Sequence, residues 1–582
     1  MIFIRVFVKD DPQVSFMSFS GFSGFSPPPT IPNAKSILFK KNVYSNFKKT
    51  QVVKIIHSAH DNHTYELNFP IEKQTFLCYT IIMLAVAEKI ETERKIHAIE
   101  TSELHKKNFG QYFTPYAIAE FMASLFPVSN NDLNILDPGT GIGILSCALL
   151  NRIKKENWNN PSIKLSAYDI DTEVLENLTQ NLIEQKKNFT DFDFKIHNAD
   201  FLEKTSFEYS FGKNEEFTHV IMNPPYKKIL SKSSAREFCR CFGLETVNLY
   251  SAFMGAAIAQ LKEKGYLVAI IPRSFCNGLY YKPFREFILK NCSIKQIHLF
   301  ESRKDAFKDE SVLQENIIIL LQKGTSQRDV KISYSNGADF ESLIEKYYDF
   351  REIVNPFDKE KYINIPLPSC LLSDDFFDCQ FVSLKETGIS VSTGAVVDFR
   401  AKSFIRKNPD ENTVPLLYPV HFKNYRTNWP KESKKPNAIL LTEETKTMIV
   451  PTGNYVTVKR FSTKEEKKRI VASLVSDGDI NASNFAFENH LNVFHSDKKG
   501  IQKELAFGLI VWLNSTFLDN QFRKFSGHTQ VNATDLRNLP FPSKEKLIEL
   551  GKKLEKYDGW NQELFDSIAR ECLNEKSAAA NF

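Results

Sequence analysis

Four consecutive residues carry the clearest chemistry in the chain: Asn223-Pro224-Pro225-Tyr226, directly after the β-rich run Thr218 to Met222. Two prolines fix φ and steer the residue before each of them away from helix, so this corner is a rigid, extended loop. From such a loop the Asn223 side-chain oxygen and the Pro224 carbonyl can both accept hydrogens from one planar amino group. That draws the nitrogen lone pair out of ring conjugation and aims it at an electrophile. Tyr226 offers a π face to the ring that bears the amine. A proline-rich turn has the same composition, so the neighbouring motifs must decide between the two readings.

Upstream, Asp137-Pro138-Gly139-Thr140-Gly141-Ile142-Gly143 follows the run Leu133 to Asp137 and opens a helical pattern. Glycines at the carboxyl end of a strand let backbone pass close to a ligand. The spacing GxGxG is neither the GxGxxG of dinucleotide sites nor a phosphate loop ending in Gly-Lys-Ser/Thr. The next β-rich run ends at Tyr168-Asp169-Ile170-Asp171, where a carboxylate can accept from two ribose hydroxyls. The following one reaches Asn198-Ala199-Asp200-Phe201, an acceptor for an adenine amine beside an aromatic face. Each acid alone reads as an ordinary surface residue. Three such strand ends in this order form a binding site.

The elements that must hold these residues alternate. Between about Asn134 and Gly324, short β-rich runs are separated by helix-length amphipathic segments such as Asn248 to Lys264. Alternation of this kind predicts an α/β domain with a mixed, mostly parallel sheet covered on both faces. Residues 1–72 are expected to be an N-terminal arm, disordered over its Phe/Ser/Pro-rich first 35 residues, and 74–107 to be helical. Residues 73–325 are assigned to the catalytic domain, and 326–375 to a polar, irregular connector. A C-terminal α+β region, with a helix around Lys503 to Phe522, occupies 376–582.

With these motifs together, the chain resembles the γ-group, or TaqI-like, DNA adenine-N6 methyltransferases. The resemblance covers roughly residues 108–324, beginning at Gly110-Gln111-Tyr112-Phe113-Thr114-Pro115 and running through Asn248-Leu249-Tyr250-Ser251-Ala252-Phe253. It implies a Rossmann-like fold using S-adenosyl-L-methionine, with Tyr112, Thr114 and Pro115 in the cofactor-binding segment. The cofactor set then continues with Asp137, Pro138, Gly139, Gly141, Gly143, Asp169, Ile170, Asp200 and Phe201. It further implies transfer to the N6 amine of an adenine flipped out of duplex DNA. There Asn223, Pro224, Pro225 and Tyr226 are catalytic, and Phe307 stacks on the far face of the base, with Phe300 a nearby competitor. Relatives often carry Glu at the position of Asp169; the shorter carboxylate still reaches a ribose. Only about twenty residues separate Asp200 from Asn223, so the large non-catalytic region lies at the C-terminus, which is the γ order.

Within that region, Ser526-Gly527-His528-Thr529-Gln530-Val531-Asn532 followed by Leu539-Pro540-Phe541-Pro542 resembles the end of target-recognition domains in PstI/BsuBI-like methylases. Ser526, Gly527, His528, Gln530 and Asn532 are therefore expected to touch DNA. Upstream, Phe399 to Tyr425 and Lys459-Arg460-Phe461 interleave basic and aromatic residues suited to phosphates and bases, although a solvated face has the same composition. The resemblance implies a type II restriction-modification setting; any partner endonuclease is expected to be a separate chain. The recognised site stays open, CTGCAG being one candidate.

The rest of the sequence excludes more than it assigns. A net charge of +5 on 582 residues does not by itself indicate nucleic acid. Nine scattered cysteines without a CxxC pair argue against zinc and disulfides, and His57, His60 and His63 lack partner ligands, so no metal is expected. The absence of a Pro-Cys dipeptide argues against C5-cytosine chemistry, which needs a covalent cysteine adduct. Release-factor and ribosomal RNA methyltransferases share an Asn-Pro-Pro-aromatic corner but resemble shorter enzymes. N4-cytosine methylation uses the same chemistry, and the γ order favours adenine. About 70 residues ahead of the methylase region are too few for a fused nuclease, and the intact motifs argue against a purely DNA-binding specificity protein. The longest apolar run, Phe76 to Ala87, is too short to cross a bilayer, so a cytoplasmic protein without membrane association is expected.

Overall fold

The computed structural model describes residues 114–158, 162–213, 216–300, 315–366, 381–463, 466–476, 478–526 and 529–574, a helical stretch at 89 and 91–95, and the backbone of three strands nearer the start. The chain divides into two compact units, 1–93 and 94–582. In the first, β1 (Ile2–Phe7), β2 (Val52–His57) and β3 (Thr64–Leu67) form an antiparallel sheet. A strand at Ile2–Phe7 departs from the expected unstructured arm. Its partner lies about fifty residues away, which no local period reveals. The other expectations for 1–72, and most of that for 74–107, fall outside the described residues.

The second unit is built on a nine-stranded sheet. Its strands are β4 (Leu133–Pro138), β5 (Ile163–Tyr168), β6 (Phe192–His197), β7 (Phe217–Met222), β8 (Leu261–Pro272), β9 (Cys292–Phe300), β10 (Asn316–Lys323), β11 (Val330–Asn336) and β12 (Asp339–Tyr348). Their spatial order is β12-β11-β9-β10-β8-β7-β4-β5-β6. From β6 to β8 every neighbour is parallel, and β10 runs antiparallel to both β8 and β9. This is the α/β, Rossmann-like class expected. Central strands β4 and β7 are buried on both faces, as their near-continuous apolar runs require, whereas edge strand β6 alternates. Strand order reverses between β4 and β7, and the carboxyl ends on either side of such a reversal bound a crevice.

Two boundaries differ from expectation. The helix Leu249–Gln260 stops four residues early because Leu261 already begins β8. Residues 326–375, read as irregular, contribute β11 and β12 to the large sheet. In β11, buried Val330, Ile332 and Tyr334 alternate with the polar residues Lys331, Ser333 and Ser335, the two serines also buried, and a polar half-pattern of that kind hides a strand.

Beyond residue 381 lie a six-stranded and a five-stranded sheet, then helices at 503–514, 516–525, 544–554 and 562–574. This matches the α+β expectation. The single helix expected around Lys503 to Phe522 is broken at Ser515, whose hydroxyl accepts from Leu518 N and starts the second helix.

Candidate active site

The glycine loop joins β4 to the helix Ile144–Lys155 and is laced to its neighbours. Gly139 N and Thr140 N both donate to the Tyr168 carbonyl at the end of β5, at 2.8 and 3.0 Å. Asp169 then reaches back: its Oδ2 accepts from Gly141 N (2.8 Å) and its Oδ1 from Asp171 N (2.9 Å). Burial raises the Asp169 carboxyl above the ordinary range, with those amides opposing the shift. Asp169 N donates to His197 O, and Asn198 Nδ2 to Asp169 O, so the ends of β4, β5 and β6 are held together. Gly143 has φ +86°, so the left-handed start of the helix favours glycine, and a Cβ there would also press on the end of the Leu178 side chain.

Asp137 is fully buried at the end of β4. Its Oδ2 accepts from Thr140 Oγ1 (2.9 Å) and Ser146 Oγ (2.6 Å), so it braces the loop from behind and does not line the cavity. Burial pushes its carboxyl up to about 6 against the pull of those two hydroxyls. Pro138 is buried within β4. Asp200 caps the helix Phe201–Ser210, its Oδ1 accepting from Leu202 N and Glu203 N. Phe201 is itself buried, edge-on to Tyr168 and tilted against Phe253. Ile170 is 52% exposed on the cavity wall, where a flat apolar ligand would cover it.

The Asn-Pro-Pro-Tyr corner sits at the end of β7, beside the glycine loop. Asn223 Nδ2 donates to Thr114 Oγ1 (3.0 Å), across 109 residues of sequence, while its Oδ1 accepts from Tyr226 Oη (2.9 Å). The Tyr226 hydroxyl also lies 3.0 Å from the Ile270 carbonyl on β8; one proton is shared between the two acceptors. These contacts fix the amide plane of Asn223. Pro115 opens the helix Tyr116–Ser124, its carbonyl accepting from Ile118 N and Ala119 N.

One cavity collects most of these residues. Thr114, Gly139, Gly141, Asp169, Ile170, Asp200, Phe201, Asn223 and Pro225 line it; Pro115, Asp137, Pro138, Gly143, Pro224 and Tyr226 stand behind or beside it. Tyr112 and Phe307 lie outside the described residues. Leu249, Phe253 and Lys227 also line the cavity, and the motif reading gave them no role. A signal was present: Asn248 caps its helix, its Oδ1 accepting from Tyr250 N, and Leu249 and Phe253 then share one face at i, i+4. Leu249 N donates to Lys227 O and Ile229 N to Val247 O, so this helix is tied directly to the loop after Tyr226.

In the C-terminal region, Ser526 is buried and its hydroxyl accepts from Arg469 Nη2 (3.2 Å). Asn532 caps the short helix Ala533–Arg537, and Gln530 is half-buried. Gly527 and His528 lie outside the described residues. Of the basic and aromatic runs, Phe399 and Phe461 are exposed, while Arg460 Nη1 donates to Asn489 O.

Comparison with known proteins places this geometry. Residues 86–307 match the family model of the Eco57I restriction-modification methylase. The type II methyltransferase M.BsuBI of Bacillus subtilis is 46% identical over 478 residues, 81% of this chain and 95% of the relative. M.PstI of Providencia stuartii, also a type II methyltransferase, is 39% identical over 81% of this chain and 94% of its own length. Among solved structures, the methyltransferase subunit of a type I restriction-modification system from Streptococcus thermophilus aligns over 40% of this chain and 50% of its own, at 21% identity and a TM-score of 0.32.

S-adenosylmethionine is the cofactor, and the cavity has the chemistry to hold it. Asp169 could offer carboxylate acceptors to a ribose diol, and Ile170 and Leu202 apolar walls to an adenine, where the glycine loop leaves room for a close backbone approach. No group of His, Cys, Asp and Glu suited to a metal occurs among the described residues, and none of their helices is long and apolar enough to cross a membrane. The chain belongs to the type II restriction-modification DNA methyltransferases.

Proposed function

We propose that the enzyme methylates the exocyclic N6 amine of adenine in one specific duplex DNA sequence, after flipping that base into the cavity beside the Asn-Pro-Pro-Tyr corner. The observation that carries this reading is the placement of Asn223 and Pro225 on the wall of the cavity that Gly139, Gly141 and Asp169 also line. An amine inside the base stack is out of reach, so extrusion must precede chemistry, at a cost of a few kcal/mol. Bound in the cavity, S-adenosylmethionine supplies a sulfonium-activated methyl group.

The protein's part is positioning. Thr114 and Tyr226 orient the Asn223 amide, whose oxygen has a second lone pair for an amine hydrogen, and the Pro224 carbonyl takes the other hydrogen. Direct displacement needs no covalent protein adduct, so orientation accounts for most of the acceleration. We assign Asp137 and Gly143 to shaping the loop and Ile170 to the cofactor's adenine. Residues 376–582 act as the target-recognition domain, with Gln530 and the loop around it facing DNA, and Ser526 turned inward as a brace. A separately encoded endonuclease that cuts the unmodified site completes the system.

Digestion of methylated duplex DNA to nucleosides tests the reading. N6-methyladenine is expected; N4-methylcytosine, or label appearing only in RNA or protein, overturns it. The π face is tested separately. Tyr226→Phe keeps the ring and should retain activity within about tenfold, whereas Tyr226→Ala should lose about 100-fold in kcat/KM, the scale of one base-stacking contact. Equal losses in the two variants would move the role of Tyr226 from its ring to its hydroxyl.

A further inference from the structure

One short turn of the catalytic domain grips both ends of the segment 526–532. β8 ends at Pro272, and the turn Arg273–Cys276 follows. The Arg273 guanidinium is buried. Its Nη1 donates to Glu315 Oε1 (2.9 Å), and its Nη2 donates to the carbonyls of Arg523 (2.8 Å) and Lys524 (2.7 Å). Those carbonyls belong to the last turn of the helix Thr516–Phe525, where carbonyls lack intrahelical donors and a cation is favoured. Ile365 N donates to the same Lys524 carbonyl. Ser526, the next residue but one, is held by Arg469, whose backbone N donates to Asp519 Oδ1 on that helix.

Four residues after Arg273, the fully buried Asn277 donates from Nδ2 to Asp535 Oδ1 (3.3 Å). The other oxygen of Asp535 accepts from Asn532 N (2.9 Å) and Asn532 Nδ2 (3.2 Å). The entry to the segment and its exit are thus both tied to the stretch 273–277. The strand leading into this stretch reaches the chemistry. Ile270 on β8, three residues before Arg273, accepts from the Tyr226 hydroxyl, and β8 pairs in parallel with β7, which ends at Met222, directly before Asn223.

Stability alone does not call for this arrangement. Burying a guanidinium beside a carboxylate costs desolvation that an apolar pair of the same volume avoids, whereas fixed polar geometry sets a single register. We infer that Arg273 and Asn277 are positioning residues that lock the DNA-reading segment at a fixed distance from the Asn223 corner, so that the recognised sequence determines which adenine is presented for methylation. This rests on the proposed reading of Gln530, between these two anchors, as DNA-facing.

The test uses the full-length enzyme with S-adenosylmethionine and a plasmid library carrying a randomised six-base-pair cassette. Single-molecule sequencing reads the ratio of methylation at the preferred cassette to that at cassettes one base pair away. Asn277→Ala should lower this ratio at least tenfold while the dissociation constant for S-adenosylmethionine changes less than twofold. Arg273→Lys, which keeps the charge but loses the two-pronged reach, should lower it as well and reads the same clamp should Asn277→Ala fail to fold. The exchange Asn277→Asp with Asp535→Asn reverses donor and acceptor, and should bring the ratio back within threefold of wild type. A uniform loss of rate on all cassettes with an unchanged ratio would mean a merely structural role and overturn the inference, as would an exchange that fails to recover. A wild-type enzyme that marks no cassette would instead sink the functional reading itself, and the inference with it.

Discussion

Asn223→Ala is expected to lower kcat for methyl transfer by about 1000-fold or more, the scale on which removal of one preorganised polar group and loss of near-attack alignment act together. The side chain is the hub of the corner. It donates to Thr114 Oγ1 and accepts from Tyr226 Oη, so truncation removes the acceptor for the amine and also frees the two residues that aimed it. Cofactor affinity should stay within about threefold, since the interaction lost is one made in the transition state and not in the ground-state complex. Losing the bond to buried Thr114 should cost about 1 kcal/mol of folding stability, too little to explain the kinetic effect. Asn223→Asp keeps an acceptor but loses the donor to Thr114, and should fall between the two. Single-turnover transfer to duplex DNA, measured beside equilibrium binding of S-adenosylmethionine, separates these outcomes. Wild-type rates in Asn223→Ala would remove the corner from the mechanism.

The second large effect is expected at Asp169. Asp169→Ala should weaken binding of S-adenosylmethionine by about 100-fold or more, because charge-assisted hydrogen bonds contribute about 1.5–3 kcal/mol each and two ribose hydroxyls are lost together. The carboxylate also accepts from Gly141 N and Asp171 N, so its removal loosens the glycine loop and the start of the next turn. Saturating cofactor should restore much of kcat, since the Asn223 corner is untouched. Asp169→Glu, one methylene longer, should stay within about tenfold of wild type, because a carboxylate on either arm can present two acceptors to a diol. Isothermal titration with S-adenosylmethionine reads both variants. Unchanged affinity in Asp169→Ala would place the ribose elsewhere in the cavity.

The catalytic half was legible because its chemistry is written in contiguous residues. The Asn-Pro-Pro-Tyr corner, the glycine loop and the Asp169 strand end each announce themselves within a few positions, and the β-rich runs Leu133 to Asp137 and Thr218 to Met222, which precede the glycine loop and the corner, lie in β4 and β7. What the sequence withheld depends on residues distant in the chain. The bond between Asn223 and Thr114 joins positions 109 residues apart, and Arg273 meets the Arg523 carbonyl across 250. Asp137 looked like a ligand contact because it opens the motif, yet it faces Thr140 and Ser146 behind the loop. Ser526 looked like a DNA contact because it opens a segment that resembles the end of target-recognition domains, yet Arg469 holds it inside. Polarity marks a residue as wanting a partner, and does not say on which side of the backbone the partner stands.

A structure of the enzyme with duplex DNA and a non-reactive analogue of S-adenosylmethionine would test the mechanism most directly. The account predicts one adenine rotated out of the helix, its N6 within hydrogen-bonding reach of both Asn223 Oδ1 and the Pro224 carbonyl, and about 3–3.5 Å from the position of the transferred methyl. A target adenine still stacked in the duplex, or an extruded base whose amine points away from Asn223, would contradict it.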